Sequence, residues 1–238
     1  MRCRVSIERL DKILSVAGFC TRSECSALAR KGLITVNGIT VRRSDAKTDT
    51  SAEISVNGEI VEPHRRTVCI MNKPSGFVTS AKDDRSRTVM ELLPEFFLRQ
   101  KVVPVGRLDK DAEGLLVFTN DGDLNHRLTS PNMGVLKIYR VEHENSITDE
   151  AVSRALSGIV LKDGTLCRSA EITRLSDGVS TISIREGMYH QVKRMFAALG
   201  CRVKYLKRIC IGKLPLGSLE PGQTRGLDDS EIAALFEL

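Results

Sequence analysis

Two Asn-Gly pairs, Asn37-Gly38 and Asn57-Gly58, constrain the front of this chain more than any other feature. Asn and Gly both tolerate the positive φ that the two central positions of a type I′ turn require, so such a pair between apolar runs predicts a tight hairpin. The flanking runs are present: Leu33–Val36 with Ile39–Val41, and Glu53–Val56 with Glu59–Val61. Ahead of them, Ile7, Leu10, Leu14 and Ala17 recur at helical spacing and Gly18 stops the helix. Thr21 and Glu24 then have the spacing of a capping box, with Cys25, Leu28 and Ala29 as the inward face of a second helix that Gly32 ends. The pattern predicts a compact helix-helix-hairpin module over 5–62, with Arg9, Lys12, Arg22, Arg30 and Lys31 facing outward. Pro63-His64-Arg65-Arg66 reads as a short linker to a second domain over 67–238.

That second region mixes periods. Val68–Met71, Leu115–Phe118, Lys137–His143 and Thr181–Arg185 read as strands, and Asp149–Leu156 as a helix. Val192, Met195, Phe196 and Leu199 mark an amphipathic helix ended by Gly200. The expected class is α+β, a small helical and hairpin module followed by a larger mixed or antiparallel sheet. Gly106-Arg107-Leu108-Asp109 stands in a loop before the apolar run, which places the Asp109 carboxylate beside a rigid strand. Asp109, Asp111, Glu113 and Gly114 match the first half of a calcium loop. The closing glutamate position holds Asn120, however, and Pro104 and Gly106 break any helix entering it.

Charge distribution narrows the class of partner. Residues 1–43 carry nine Lys or Arg against three Asp or Glu, and Arg185–Lys213 carries Lys193, Arg194, Arg202, Lys204, Lys207 and Arg208 against Glu186 alone. Two separate basic stretches point to a polyanion, nucleic acid above all. The seven cysteines include no Cys-x-x-Cys pair, so they read as reduced packing thiols and not as a disulfide framework or zinc site. None of His64, His126, His143 and His190 belongs to a metal-binding motif, and no metal is expected. No apolar run approaches the ~20 residues needed to span a bilayer, and no apolar segment near Met1 resembles a signal peptide; a cytoplasmic protein without membrane contact is expected.

The front module, through Arg9-Leu10-Asp11-Lys12, Thr21-Arg22-Ser23 and Gly32-x-Ile34-x-Val36-Asn37-Gly38, resembles the S4 RNA-binding domain. Four later blocks occur in order: Asn72-Lys73-Pro74-Ser75-Gly76, Gly106-Arg107-Leu108-Asp109 with Gly114-Leu115-Leu116, Lys137-x-Tyr139, and Glu186-Gly187-Met188-Tyr189-His190-Gln191-Val192-Lys193-Arg194-Met195. Together they resemble the RNA pseudouridine synthases, and the last block looks most like the branch that modifies the small ribosomal subunit.

The resemblance implies isomerisation of uridine to pseudouridine without cofactor or metal. Asp109 would be the nucleophile, at C1′ or at C6 of the base, Tyr139 the platform under the flipped base, and Lys193 the cation beside Asp109. Related branches carry an arginine at the position of Lys193, and a lysine gives a point charge in place of a fork. Arg107 would hold the target's phosphate or fill the space the base leaves, Lys73 and Pro74 would shape a nearby loop or touch RNA, and Arg194 would contact phosphate. His190 is given no chemical step. Met188 stands where an arginine is common, and Lys110-Asp111-Ala112-Glu113 lacks a frequent threonine. The implied partner is ribosomal RNA, the implied target uridine 516 of small-subunit RNA, and a single-site modifier needs no partner subunit, so a monomer is expected. The alternatives are a large-subunit target or a silent RNA-binding assembly factor.

Overall fold

The computed structural model describes residues 6–61 and 66–237, which divide into two compact units. Most of the sequence-read linker, Pro63-His64-Arg65, and the module ends at Val5 and Glu62 lie outside the described residues.

In the first unit, β1 (Ile7–Arg9) leads into α1 (Leu10–Val16), then α2 (Arg22–Arg30), β2 (Ile34–Val36), β3 (Ile39–Thr40), β4 (Lys47–Asp49), β5 (Ile54–Val56) and β6 (Glu59–Val61). Both Asn-Gly pairs turn as expected, with φ of 50° and 76° at Asn37 and Gly38 and 53° and 84° at Asn57 and Gly58. The hairpins join in a four-stranded sheet of order β3-β2-β5-β6. Thr21 and Glu24 form the predicted capping box: Thr21 Oγ1 accepts from Glu24 N at 3.2 Å, and Thr21 N donates to Glu24 Oε2 at 2.6 Å. Leu10, Ile13, Leu14, Cys25, Ala29, Ile34 and Ile54 bury one core between helices and sheet.

Two expectations are corrected. Ile7 is not the first turn of α1 but an exposed strand residue, because its backbone pairs with Asp49 on β4 and the helix starts only at Leu10. Cys20 and Cys25 are not reduced thiols but a disulfide: Cys20 precedes the cap and Cys25 is an inward residue of α2, so the capped turn brings their Cα atoms within 5.7 Å. Pro94–Val102, with α3 (Glu95–Arg99), also groups with this unit, whereas a boundary at residue 67 leaves it in the second.

The second unit is built on β7 (Val68–Lys73), β8 (Val103–Val105), β9 (Glu113–Thr119), α4 (Gly122–Thr129), β10 (Lys137–His143), α5 (Asp149–Ser157), β11 (Glu171–Ser176) and β12 (Val179–Ile184). It continues through α6 (Gln191–Ala198), β13 (Val203–Ile211), β14 (Leu214–Pro215), β15 (Thr224–Gly226) and α7 (Asp229–Ala234). The sheet runs β11-β12-β10-β13-β9-β7-β15, with β8 on β9 and β14 on β13. Among the described residues β9 and β13 pair in parallel and the other strand pairs of this sheet are antiparallel, a mixed sheet as expected. Leu115–Phe118 are buried, as a central strand covered on both faces requires. Asp121 caps α4 by accepting from Asp123 N at 2.9 Å and Leu124 N at 3.1 Å. Among the described residues no helix is long and apolar enough to cross a membrane.

Gly114 fixes how closely β9 meets β13. It sits at φ +103°, and a Cβ there would lie 2.2 Å from the carbonyl oxygen of Arg208, which backbone cannot concede. Gly114→Ala should therefore cost about 3 kcal/mol or more of unfolding free energy, from strain and overpacking combined. Urea titration of the two proteins checks this, and a loss below about 0.5 kcal/mol would show that the strands can part without penalty.

Candidate active site

The loop 106–112 ends where β9 begins, and it is held from two sides. From one side, Thr79 Oγ1 donates to Leu108 O at 2.8 Å and accepts from Leu108 N at 3.2 Å. From the other, the fully buried Lys73 at the end of β7 donates from Nζ to Ala112 O at 2.7 Å, Pro74 O at 3.1 Å and Lys110 O at 3.3 Å. Gly76 N adds a bond to Lys110 O at 2.8 Å. Asp109 is thus presented by a loop in which the carbonyls of Leu108, Asp109, Lys110 and Ala112 all have donors, with its carboxylate about one-fifth exposed. Lys73 has no face left for RNA, so its assignment as an RNA contact is corrected; it shapes the loop.

The second wall comes from the start of α6. Gln191 is buried, with Oε1 accepting from Met188 N at 3.0 Å and Nε2 donating to Glu186 Oε2 at 2.7 Å, and this frame sets the first helical turn. His190, at φ +48°, and Lys193 are three residues apart and so share one side of that turn. Lys193 Nζ lies 3.2 Å from Asp109 Oδ2 and donates to Asp111 Oδ1 at 2.6 Å. His190 Nε2 lies 3.4 Å from Asp109 Oδ1. Burial works against the Lys193 charge, but the hydrogen bond to Asp111 and the charge of Asp109 outweigh it and hold the amine above its ordinary pKa. The Lys193 hydrogen bond likewise holds Asp111 below the ordinary carboxylate range.

Tyr139 on β10, nearly buried, lines the same cavity as Asp109, Arg107, Lys137, His190 and Arg208, a space of about 540 Å³. The structure therefore brings Asp109, Tyr139, Lys193 and the exposed Arg107 together. His190, to which the resemblance gives no chemical step, lies beside them; its spacing from Lys193 was the available signal. Its side chain makes no capping hydrogen bond, and its ring stacks on Tyr189 at 3.8 Å. Arg194 turns away to pair with Asp163. Arg208 is corrected as a member of the surface basic stretch, because β13 carries it inward and it is 3% exposed. The three carboxylates of the calcium-like pattern do not converge on one point: Asp109 and Asp111 share Lys193, and Glu113 accepts from Tyr205 Oη at 2.7 Å.

In the first unit the five outward cations are exposed as expected. Arg9 pairs with buried Asp11 at 2.6 Å, Lys12 pairs with Glu8, and Arg30 Nε donates to Ser26 O at 3.3 Å. The side chains of Arg22 and Lys31 make no hydrogen bond or ion pair among the described residues and keep their charge for solvent or a ligand.

Comparison with known proteins gives this geometry a context. Residues 67–198 match the RNA pseudouridylate synthase family model, and residues 8–47 match the S4 domain. An uncharacterised RNA pseudouridine synthase of Bacillus subtilis is 38% identical, over 96% of this chain and 98% of its own. A ribosomal small subunit pseudouridine synthase A of Vibrio cholerae is 36% identical, over 96% of this chain and 100% of its own. A ribosomal large subunit pseudouridine synthase B of Bacillus subtilis is 34% identical, over 98% and 97%. A crystal structure of a pseudouridylate synthase superposes with a TM-score of 0.68 at 34% identity, covering 96% of this chain and 99% of that one.

Burial, working against the pull of Asp111, Glu113 and Asp109, pushes the Lys73 ammonium from 10.5 down to about 8. An unfolded chain keeps that proton up to its higher value, so between the two the unfolded state binds more protons and this group's contribution to stability rises with pH. Lys73→Met should be destabilised at pH 7 by about 2–4 kcal/mol, since three carbonyls lose their donor. Its deficit against wild type should widen from pH 8 to 10, as read by urea unfolding; a flat deficit would mean that the buried amine stays charged.

Proposed function

This chain belongs to the RNA pseudouridylate synthase family, and we propose that it isomerises one uridine of small-subunit ribosomal RNA, uridine 516, with Asp109 as the nucleophile. The observation that carries the reading is the Asp109 carboxylate between Lys193 at 3.2 Å and His190 at 3.4 Å, at a cavity lined by Tyr139. A cation at that distance favours the ionised carboxylate that either mode of attack needs.

The atoms balance within the nucleotide. Asp109 attacks C1′, or C6 of the base; the C1′–N1 bond breaks with its electron pair leaving on the base, the base turns, a C1′–C5 bond forms, and the bond to Asp109 is broken again. C5 then loses a proton and N1 gains one. Nothing is oxidised or reduced, so the reaction asks for no cofactor. The base must leave its stack before Asp109 can reach it, and Tyr139 supplies the planar surface on which it rests. Arg107, exposed at the cavity edge, is placed to take a phosphate or the vacated stack position. Arg22, Arg30 and Lys31, with Arg9 and Lys12 partly neutralised, form the sequence-independent footprint of the module over 5–62, and the domain over 67–238 carries the chemistry. Arg194, held by Asp163, serves RNA only at the margin of the site. The enzyme works as a monomer in the cytoplasm.

The small-subunit target is favoured by the small-subunit relative at 36% identity. A large-subunit target is the second reading, favoured by the relative at 34%.

Asp109→Asn should lower pseudouridine formation by about 10³-fold or more, since nucleophile losses are of that order, while RNA affinity changes less than about threefold, which is below 1 kcal/mol. Carbodiimide treatment and primer extension on ribosomal RNA from cells lacking the gene, complemented by wild type or variant, reads both reaction and target. A stop restored in small-subunit RNA by wild type alone supports the reading; a stop in large-subunit RNA moves the target; turnover by the variant removes Asp109 from the nucleophile's role.

A further inference from the structure

Two cations in the wall of the cavity have no use in holding Asp109. Lys137 opens β10 and Arg208 lies on β13, adjacent antiparallel strands in which Tyr139 stands directly opposite Arg208. Both line the cavity that holds Asp109 and Tyr139. Arg208 is 3% exposed; its Nε donates to Leu115 O at 2.7 Å, its Nη1 to Tyr139 Oη at 3.4 Å, and its Nη2 has no partner. Lys137 Nζ has a single acceptor, Val135 O at 3.2 Å. Among the described residues no carboxylate lies within ion-pair distance of either, while Asp109 is already served by Lys193 and His190.

Such an arrangement is expensive. A charge taken out of water without a counter-ion is disfavoured, and here buried Arg208 and half-buried Lys137 each raise the cost of the other. Burial, followed by the charge of Arg208, pushes the Lys137 amine down to about 8. The fold keeps the pair in the cavity even so, which suits a site where negative charge appears only during the reaction. On the proposed reading, one such charge does appear. Uridine enters neutral, and when the C1′–N1 bond breaks the base holds the electron pair as an anion spread over N1, O2 and O4.

We infer that Lys137 and Arg208 form a cationic floor that receives the detached uracil anion between bond cleavage and bond re-formation. The inference rests on the isomerase reading and adds to it two catalytic residues. Because the floor meets charge in the cleaved state and not in the bound uridine, it lowers the barrier to cleavage without tightening RNA binding. It also keeps the free base in place: an anion held against two cations turns within the cavity instead of escaping as free uracil. Lys137 supplies a mobile donor that can follow the turning base, and Arg208, fixed by Leu115 O, supplies a constant field.

The test compares wild type, Lys137→Met, Arg208→Met and Arg208→Lys in single-turnover reactions, on RNA carrying either uridine or 5-fluorouridine at the position that wild type converts. Loss of the target nucleoside is followed by chromatography after nuclease digestion. Fluorine withdraws electron density and stabilises the base anion itself, so an enzyme without the floor gains more from it than wild type does. Lys137→Met should cleave the uridine substrate about 10²-fold more slowly, the order seen when one stabilising donor is removed, and recover about tenfold of that loss on 5-fluorouridine. RNA affinity should stay within about threefold, or less than 1 kcal/mol. Arg208→Lys should keep most of the activity and Arg208→Met should behave as Lys137→Met does; should Arg208→Met fail to fold, Lys137→Met carries the comparison alone. An equal loss on both substrates, or no loss, with wild type active, overturns the floor. Absence of any conversion by wild type overturns the isomerase reading instead, and the floor with it.

Discussion

Everything at the site depends on one buried ammonium. Lys73 ends β7 with no exposed surface and spends its three protons on the carbonyls of Pro74, Lys110 and Ala112. A loop that reverses direction between β8 and β9 leaves carbonyls that no strand partner can reach, and a buried unpaired carbonyl is costly. One point charge with three donors answers several at once, which a planar guanidinium could not do from the same position. Thr79 pins Leu108 in the same way on the other flank. Asp109 stands between these two anchors, so its carboxylate is aimed by the backbone and tuned by side chains from elsewhere.

Those other side chains arrive on α6, and their grouping shows why the cavity holds two kinds of positive charge. Lys193 stands at the carboxylate itself, where opposite charges offset each other, with the His190 ring beside it. Lys137 and Arg208 come from the sheet and are matched by no carboxylate among the described residues. The surface of the first unit follows a third rule, with Asp11 and Glu8 drawing off part of its charge and Arg22 and Lys31 left to solvent. A net charge of +6 says nothing of this division. Only placement separates a cation that holds a carboxylate from one that lies unmatched in a cavity wall or one that faces solvent.

Local chemistry was what the sequence expressed most clearly. The capping box at Thr21 and Glu24, both Asn-Gly turns and the apolar runs of β9 and α6 were legible because neighbours within four residues decide them. Ile7 misled, since its apolar side chain fits a helical period while a strand forty residues on claims its backbone. Motif order singled out Asp109, Tyr139 and Lys193, which the fold brings together, but not the depth of Lys73 or Arg208, because the burial of a charged residue depends on acceptors far away in sequence. The nearness of His190 to Asp109 was hidden for a related reason: what a histidine's ring faces depends on the fold, and Asp109 lies 81 positions earlier in the chain. The Cys20–Cys25 bond had no spacing motif to announce it.

The parallel meeting of β9 with β13, allowed by Gly114, sets the order in which the molecule becomes competent. Lys193 reaches Asp111 across 82 residues, and Met71 pairs with Thr224. The four-stranded sheet of the first unit, by contrast, closes within residues 34–61. Loops that long must be closed before their contacts return anything, so the large sheet assembles late and slowly relative to the hairpins. During synthesis the basic face of the first unit can thus be complete while β13 is still unmade, and a nascent chain can hold a polyanion well before it can act on one.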